Sequence, residues 1–130
     1  MNTDTITITA TVTDLNEASP IFTDGATDSA NVVEGTTAVG TYAATDADGT
    51  ATQTYSIVTA GNDAGSVDHD LFSVASGGVL TFSSAPNYED AGCGANNDAL
   101  VCIVIISVTD GSNTDTITIT ATITDLNEAS

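Results

Sequence analysis

The chain has 130 residues, 41% of them apolar, which is enough for one folded domain with a core of its own. It carries 18 acidic residues and no lysine or arginine, for a formal net charge of −18. This balance excludes ordinary nucleic-acid binding and docking on anionic lipid, because both need basic side chains. It also means that clustered carboxylates can be compensated only by solvent or by a bound cation.

The first element along the chain is one half of a repeat. Residues 2–19 recur as residues 113–130, and only Val12 against Ile123 differs. Near-identical segments 111 residues apart are typical of tandem arrays. We therefore interpret residues 1–19 as the tail strand and linker of a preceding repeat, and residues 20–130 as one complete repeat with its C-terminal linker. Residues 1–13 are expected to have no slot of their own in this domain, and to be mobile, to extend along the next molecule, or to compete for the slot of residues 113–124 by strand swapping between chains.

The rest of the chain is predicted to be all-β. Residues 114–124 alternate, with isoleucines and Ala121 on one face and threonines on the other, which is the pattern of a half-buried strand. Further strands are predicted at 31–35, 38–45, 53–58, 71–75, 79–83 and 99–109. Seven short strands separated by Gly- and Asp-rich turns predict a seven-stranded Greek-key β-sandwich of the immunoglobulin type. The predicted core is Phe22, Tyr42, Ala44, Tyr55, Ile57, Phe72, Leu80, Phe82, Val104, Ile106, Val108, Ile119 and Ile123.

Acidic residues concentrate at the predicted strand ends. The segments concerned are D-L-N-E at 14–17 and 125–128, V-V-E at 32–34, D-A-D-G at 46–49, N-Y-E at 87–89 and D-G at 110–111. Calcium favours six to eight oxygen ligands of this kind. No cluster of histidine or cysteine competes for a softer metal. A second interpretation is that these acids only stabilise turns.

These segments resemble the motifs of the cadherin repeat family. D-L-N-E-A-S-P-I-F at 14–22, V-V-E at 32–34, A-T-D-A-D-G at 44–49, N-Y-E at 87–89 and V-T-D-G at 108–111 follow the family's order. The resemblance covers nearly all of residues 14–130. It implies a cadherin-like sandwich with calcium held between successive modules.

The resemblance implies two sets of calcium ligands. The set facing the next module would be Glu34, Asn87, Glu89, Asp125, Leu126 and Glu128. The set facing the preceding module would be Asn16, Asp46, Asp48 and Asp110, and Asn127 would serve the next module as Asn16 serves this one. Asn87, Glu17 and Glu128 depart from the aspartates usual in the family, so the number of ions per junction stays open.

The expected function is that of a calcium-binding structural or adhesive module. It would belong to a long exported bacterial adhesin of the RTX type at the cell surface. Its direct partners would be neighbouring repeats of the same chain, while host or microbial glycans or proteins would be met by other domains. The alternative is a carbohydrate- or protein-ligand-binding module of an extracellular protein. Near-identical copies favour the structural module.

No catalytic function is expected. Paired carboxylates occur in glycoside hydrolases, but the chain has no tryptophan for a sugar platform. His69 lacks a second histidine or a serine nucleophile motif. It is expected in an exposed loop, and Asp63, Asp68, Asp70, Asp90 and Asp98 are expected to be solvated. Cys93 and Cys102 are expected to form a disulfide in an oxidising compartment.

Overall fold

The fold is a two-layer β-sandwich, as the alternation predicted. The computed structural model describes residues 1–13, 15–48, 52–59, 68–93 and 99–126. Within these ranges the strands are β1 (Ile21–Phe22), β2 (Thr27–Val33), β3 (Ala38–Thr41), β4 (Ala44–Thr45), β5 (Thr54–Ile57), β6 (Phe72–Ala75), β7 (Val79–Phe82), β8 (Val101–Thr109) and β9 (Thr114–Thr124). Two 3-10 helices cover His69–Leu71 and Tyr88–Asp90. Among the described residues, no helix is long and apolar enough to cross a membrane.

Two main sheets face each other. The first has the order β2-β9-β8-β5, in which β2 and β9 are parallel and the other pairs are antiparallel. The second has the order β3-β7-β6 and is antiparallel. Strands β1 and β4 form a small antiparallel pair. Consecutive strands such as β2 and β3 lie in different sheets, which is the connectivity of Greek-key sandwiches.

The core lies between the inner faces of these sheets. The inward side chains of β9 are fully buried and its threonines face outward, as predicted; the buried set is Ile117, Ile119, Ala121 and Ile123. From the second sheet, Phe72 and Phe82 stack with ring centroids 4.4 Å apart. Period-two alternation therefore identified the inner face of β9 correctly, because each β-branched side chain fits a pleated surface.

Some predicted core residues are only half-buried, and others were missed. Tyr55 and Ile57 lie on β5, an edge strand, and Ala44 lies in the small β1–β4 pair, so each is covered on fewer sides. Val32 is 1% exposed and belongs to the core, although the sequence analysis did not place it there. Cys102 is also fully buried.

The prediction of one continuous strand over 38–45 was wrong, because the chain passes from one sheet to another there. Strand β3 pairs with β7, whereas β4 pairs with β1. Between them the Tyr42 amide donates to the Gly78 carbonyl (2.8 Å). Gly78 has φ +83°, and a Cβ at that position would collide with the Tyr42 carbonyl, so the crossing requires glycine. Strand β2 also starts earlier than predicted, because it pairs with β9 from Thr27 onward.

The acids near the disulfide also differ from expectation. Asp68 was predicted to be solvated but is 3% exposed, and its Oδ2 accepts a hydrogen bond from the Ile103 amide (2.9 Å). His69 is half-buried at the start of a 3-10 helix, with Nε2 3.2 Å from Asp70 Oδ1. Cys93 and Cys102 are joined by a disulfide, with Cα atoms 4.8 Å apart. Asp70 and Asp90 are exposed, and Asp63 and Asp98 lie outside the described residues.

Residues 1–13 take no part in either sheet. Ile6, Ile8 and Val12 are 82%, 77% and 94% exposed. Their counterparts in the second copy are Ile117, Ile119 and Ile123, which are at most 1% exposed. The same sequence is therefore a core strand at one end of the chain and an exposed tail at the other.

Candidate metal centres at the two ends of the sandwich

The end of the sandwich where β2 and β9 both finish is called the lower end here. Glu34 follows β2 directly, and its amide donates to the carbonyl of Thr124, the last residue of β9 (3.0 Å). The 3-10 helix that starts at Tyr88 brings Glu89 to the same place. Carboxylate oxygens of Glu34, Glu89 and Asp125 all lie within 4.8 Å of one another. Three of the residues predicted for this set are thus brought together.

Glu34 is the fixed member of the lower cluster. It is 4% exposed, and its Oε2 accepts from the Tyr88 amide (2.8 Å) while Oε1 accepts from the Leu126 amide (3.0 Å). These two amide bonds are the main reason that the pKa of Glu34 is lowered, and they outweigh the opposing effect of burial. These two bonds orient the Glu34 carboxylate and favour its ionised form.

The pKa of Asp125 is shifted in the opposite direction to that of Glu34. Its hydrogen bond to Glu34 is the largest cause that raises its pKa, followed by burial and by the negative charges of Glu34 and Glu89. A proton on Asp125 thus relieves the repulsion within the cluster. A divalent cation would relieve the same repulsion and would displace that proton.

The remaining residues of the lower set have different roles. The Asn87 side chain accepts from the Glu89 amide (3.2 Å), so its oxygen caps the short helix that carries Glu89. Leu126 contributes its backbone amide to Glu34, and its side chain is 50% exposed. An open cleft of about 410 Å³ lies beside the cluster and is lined partly by Pro86 and Leu126. Asn127 and Glu128 lie outside the described residues.

The opposite end, called the upper end, is built from the linker before β1, the segment after β4 and the β8–β9 turn. The Ala18 amide donates to Asp48 Oδ2 (2.9 Å), and Asn113 Nδ2 donates to the Ala18 carbonyl (3.2 Å). The side chain of Asn16 contacts the Asp110 carboxylate. These bonds join three distant segments that all carry predicted ligands.

Asp110 has a structural role in addition to the predicted one. Its Oδ1 accepts from the amides of Ser112 (2.8 Å) and Asn113 (2.7 Å), which closes the β8–β9 turn. Hydrogen bonds from these amides and from Asn16 lower the pKa of Asp110, the Asn113 amide contributing most, although burial acts against them. Asp46 is similar, because its Oδ1 accepts from the Asp48 amide (2.9 Å). In both residues one oxygen is used within the fold.

The other oxygen of each residue has no donor. Among the described residues, the buried side-chain atoms without a hydrogen-bond partner are Asn16 Oδ1, Asp46 Oδ2 and Asp110 Oδ2. Buried acceptors are nearly always satisfied in folded proteins, so three at one end require an explanation. All three are hard oxygen atoms from the predicted ligand set, and they are of the kind that calcium favours. Asp48 lies beside them but uses one oxygen on Ala18.

Some residues of both ends were not predicted. Asn113 and the backbone of Ala18 and Tyr88 orient the acids, yet no pattern in the sequence distinguishes them. Leu126 was predicted in the lower set, and its backbone amide bonds to Glu34. Asn113 lies two residues after Gly111 of the D-G turn, which is the one signal that could have drawn attention to it.

Comparison with known proteins supports the fold. No family profile matches the chain, and no characterised protein matches it in sequence. Among solved structures, it superposes on protocadherin gamma B2 extracellular cadherin domains 1–5 with a TM-score of 0.65 and 20% identity, over 89% of this chain and 21% of that one. Mouse cadherin-23 domains EC22-24 give a TM-score of 0.62 and 22% identity, over 88% and 33%. Human mucin-like protocadherin domains EC1-2 give a TM-score of 0.61 and 19% identity, over 88% of this chain and 57% of that one.

These likenesses define the class of fold. The chain has a cadherin-like β-sandwich, and it spans about a fifth to a little over half of the structures to which it is similar. The fold predicted from its motifs is therefore confirmed.

Proposed function

We propose that this chain is a calcium-binding repeat module of a long exported bacterial adhesin, and that ions bound between modules stiffen the array. The observation that carries the proposal is the set of three buried oxygens at the upper end, on Asn16, Asp46 and Asp110, which lack a donor. A hard cation bound there would satisfy all three. The carboxylate cluster at the lower end supplies the complementary half of such a junction.

The repeat lets both halves of a junction be compared within one chain. Leu126 bonds to Glu34 at the lower end, and Leu15 is its copy. Ala18 bonds to Asp48 at the upper end. Leu15 and Ala18 are three residues apart, a span of at most about 11 Å. If each linker keeps both bonds, the lower end of one module and the upper end of the next lie within that span.

The acids then act as a calcium-dependent hinge. Without a cation, Glu34, Glu89 and Asp125 of one module approach Asp46, Asp48 and Asp110 of the next, and the chain offers no basic side chain against them. Repulsion between like charges would splay the modules. With calcium the same oxygens become ligands, and the linker loses its freedom. Such an array is suited to hold an adhesive domain away from the bacterial surface, outside the cell.

Calcium binding is tested on the single chain by isothermal titration calorimetry and thermal unfolding. An ion that binds only the folded state adds about 2.7 kcal/mol at a hundredfold excess over Kd. We expect a higher Tm in calcium than in chelator and saturable heat. Asp46→Asn together with Asp110→Asn should remove the upper-end response, whereas Asp70→Asn, at an exposed acid outside both predicted ligand sets, should retain it.

Stiffening is tested on a protein of two successive repeats. Small-angle X-ray scattering should give a larger maximum dimension in calcium than in chelator, and Asp46→Asn with Asp48→Asn in the second repeat should abolish the difference. Identical melting curves with and without calcium would contradict the metal site. Binding without a change in dimension would contradict the stiffening and favour a ligand-binding module, which a glycan array would then examine.

A further inference from the structure

The exposed tail is a second copy of the central strand of the sandwich. Residues 2–13 and 113–124 are identical except for Val12 against Ile123. Strand β9, formed by the second copy, lies between β2 and β8, and it pairs with β8 over residues 114–122 and with β2 over residues 118–124. Any slot that accepts β9 must therefore accept residues 2–13, because the side chains that fill it are the same.

The tail cannot fill the slot of its own sandwich. Asn113, before β9, lies beside Ala18, while Thr124, at the other end of β9, lies beside Glu34. These ends are separated by 11 residues of strand, about 36 Å. If the tail occupied that slot, Thr13 would take the place of Thr124, yet Ala18 is bound at the opposite end. The five residues from Thr13 to Ala18 span at most about 18 Å.

We propose that residues 2–13, wherever no preceding repeat holds them, form a donor strand that displaces β9 from a second copy of this chain and completes its sandwich at the β9 position. In the acceptor, Ile6, Ile8 and Val12 would take the buried places of Ile117, Ile119 and Ile123. Each acceptor retains its own exposed tail, so the contact is head to tail rather than reciprocal. Chains would then join into open linear oligomers rather than symmetric dimers.

The joint between two such chains would reproduce the junction of a tandem array. With residues 2–13 in the acceptor slot, Leu15 would take the position of Leu126 beside the acceptor's Glu34. Ala18 would remain bound to Asp48 of its own chain. The lower end of the acceptor and the upper end of the donor would meet across the same short linker. The strand exchange itself does not need calcium; only a calcium dependence of the joint rests on the proposed function.

The two copies compete for each slot on nearly equal terms. Their contacts are the same, so the balance depends on protein concentration relative to the effective concentration of the tethered β9, which is in the millimolar range. Dilute native protein should be monomeric. Oligomers should accumulate after refolding at about 1 mM and be scarce after refolding at about 10 μM.

Paired variants of the full chain separate the two copies. Ile117→Asp with Ile119→Asp disables β9, so the slot can be filled only by the tail of another molecule. The folded fraction of this variant should rise with protein concentration. In size-exclusion chromatography with light scattering it should run as a ladder, a series of oligomers of increasing size. The matched variant, Ile6→Asp with Ile8→Asp, should be monomeric after refolding at any concentration and keep the Tm of the unmodified protein.

A synthetic peptide of residues 2–13 gives an independent readout. Added in excess to the β9-disabled variant, it should convert the ladder into folded monomers with one peptide each. A β9-disabled chain that folds as a monomer without peptide would show that residues 2–13 can reach the slot of their own sandwich, which contradicts the proposal. If neither the tail nor the peptide restores folding of the β9-disabled variant, residues 2–13 are not a donor strand.

Each assay is run in calcium and in chelator. A ladder of equal stability in both would contradict the calcium junction and leave strand exchange standing. Loss of the ladder in both would contradict strand exchange and leave the calcium site untouched.

Discussion

The carboxylates of Glu34 and Asp125 share a hydrogen bond at the lower end, where one is held ionised by two backbone amides and the other favours its proton. Protons and the proposed calcium ion would therefore compete for this cluster. Because the pKa of Asp125 is raised above its ordinary 3.8, calcium affinity should fall as pH drops toward that raised pKa. Calorimetric titration at a series of pH values checks this. Asp125→Asn should bind more weakly at neutral pH and show a shallower pH dependence.

The same pair makes stability depend on pH when calcium is chelated. A raised pKa means that the folded state binds the proton of Asp125 more tightly than the unfolded state does. That contribution is present below its ordinary pKa and is lost as pH rises through the raised value. The lowered pKa of Glu34 acts oppositely, adding stability that is lost as pH falls below its ordinary 4.5. Calcium should remove the loss at the higher pH, which melting curves would show.

The two oxygens of Asp110 predict different results for two substitutions. Asp110→Asn keeps an oxygen to accept from Ser112 and Asn113, so Tm in chelator should change little while the calcium response weakens. Asp110→Ala also removes the turn acceptors. It should lower Tm by several degrees in chelator as well. Equal effects of both variants in chelator would contradict the separate roles of the two oxygens.

Tyr42 should make the fold sensitive to alkaline pH. Burial, together with a hydrogen bond and charge repulsion from Asp28, raises its pKa from 10.0 to about 12. The stability contributed by its protonated hydroxyl is complete below pH 10 and is lost as pH rises toward 12. Denaturant titrations across this range should show a decline. Tyr42→Phe should remove that decline, although it also removes the hydrogen bond at neutral pH.

Asp68 should be important for stability, in contrast to the acids near it. It is buried and accepts from the Ile103 amide at the start of β8. Asp68→Ala leaves that partly buried donor without its acceptor, and an unsatisfied buried donor typically costs about 1–3 kcal/mol. Urea denaturation measures the loss. Asp70→Ala, two residues away and exposed, should change the free energy of unfolding by less than about 0.5 kcal/mol.

Alternation predicted strands best where one face of a strand is buried along its whole length. β9 shows this, because every second residue from Ile117 to Ile123 faces the core. The prediction was weaker at 38–45, where the chain crosses from one sheet to another at Tyr42. No local signal marks that crossing, since the Gly78 carbonyl that accepts from Tyr42 lies far along the chain. Asp68 was misplaced for the same reason: its partner, Ile103, is distant in sequence.

The sequence by itself determined the all-β fold, the negative charge that no basic side chain offsets, and the identity of the acidic residues at strand ends. These are properties of composition and short-range pattern, which do not depend on distant contacts. Only the tertiary structure decided which acids meet, which of their oxygens are already used, and which are left without a donor. It also decided that one of two near-identical segments is a buried strand and the other an exposed tail. Residues 113–124 follow a tight turn that returns them between β2 and β8, whereas the short linker after residues 2–13 keeps them out of the same sandwich.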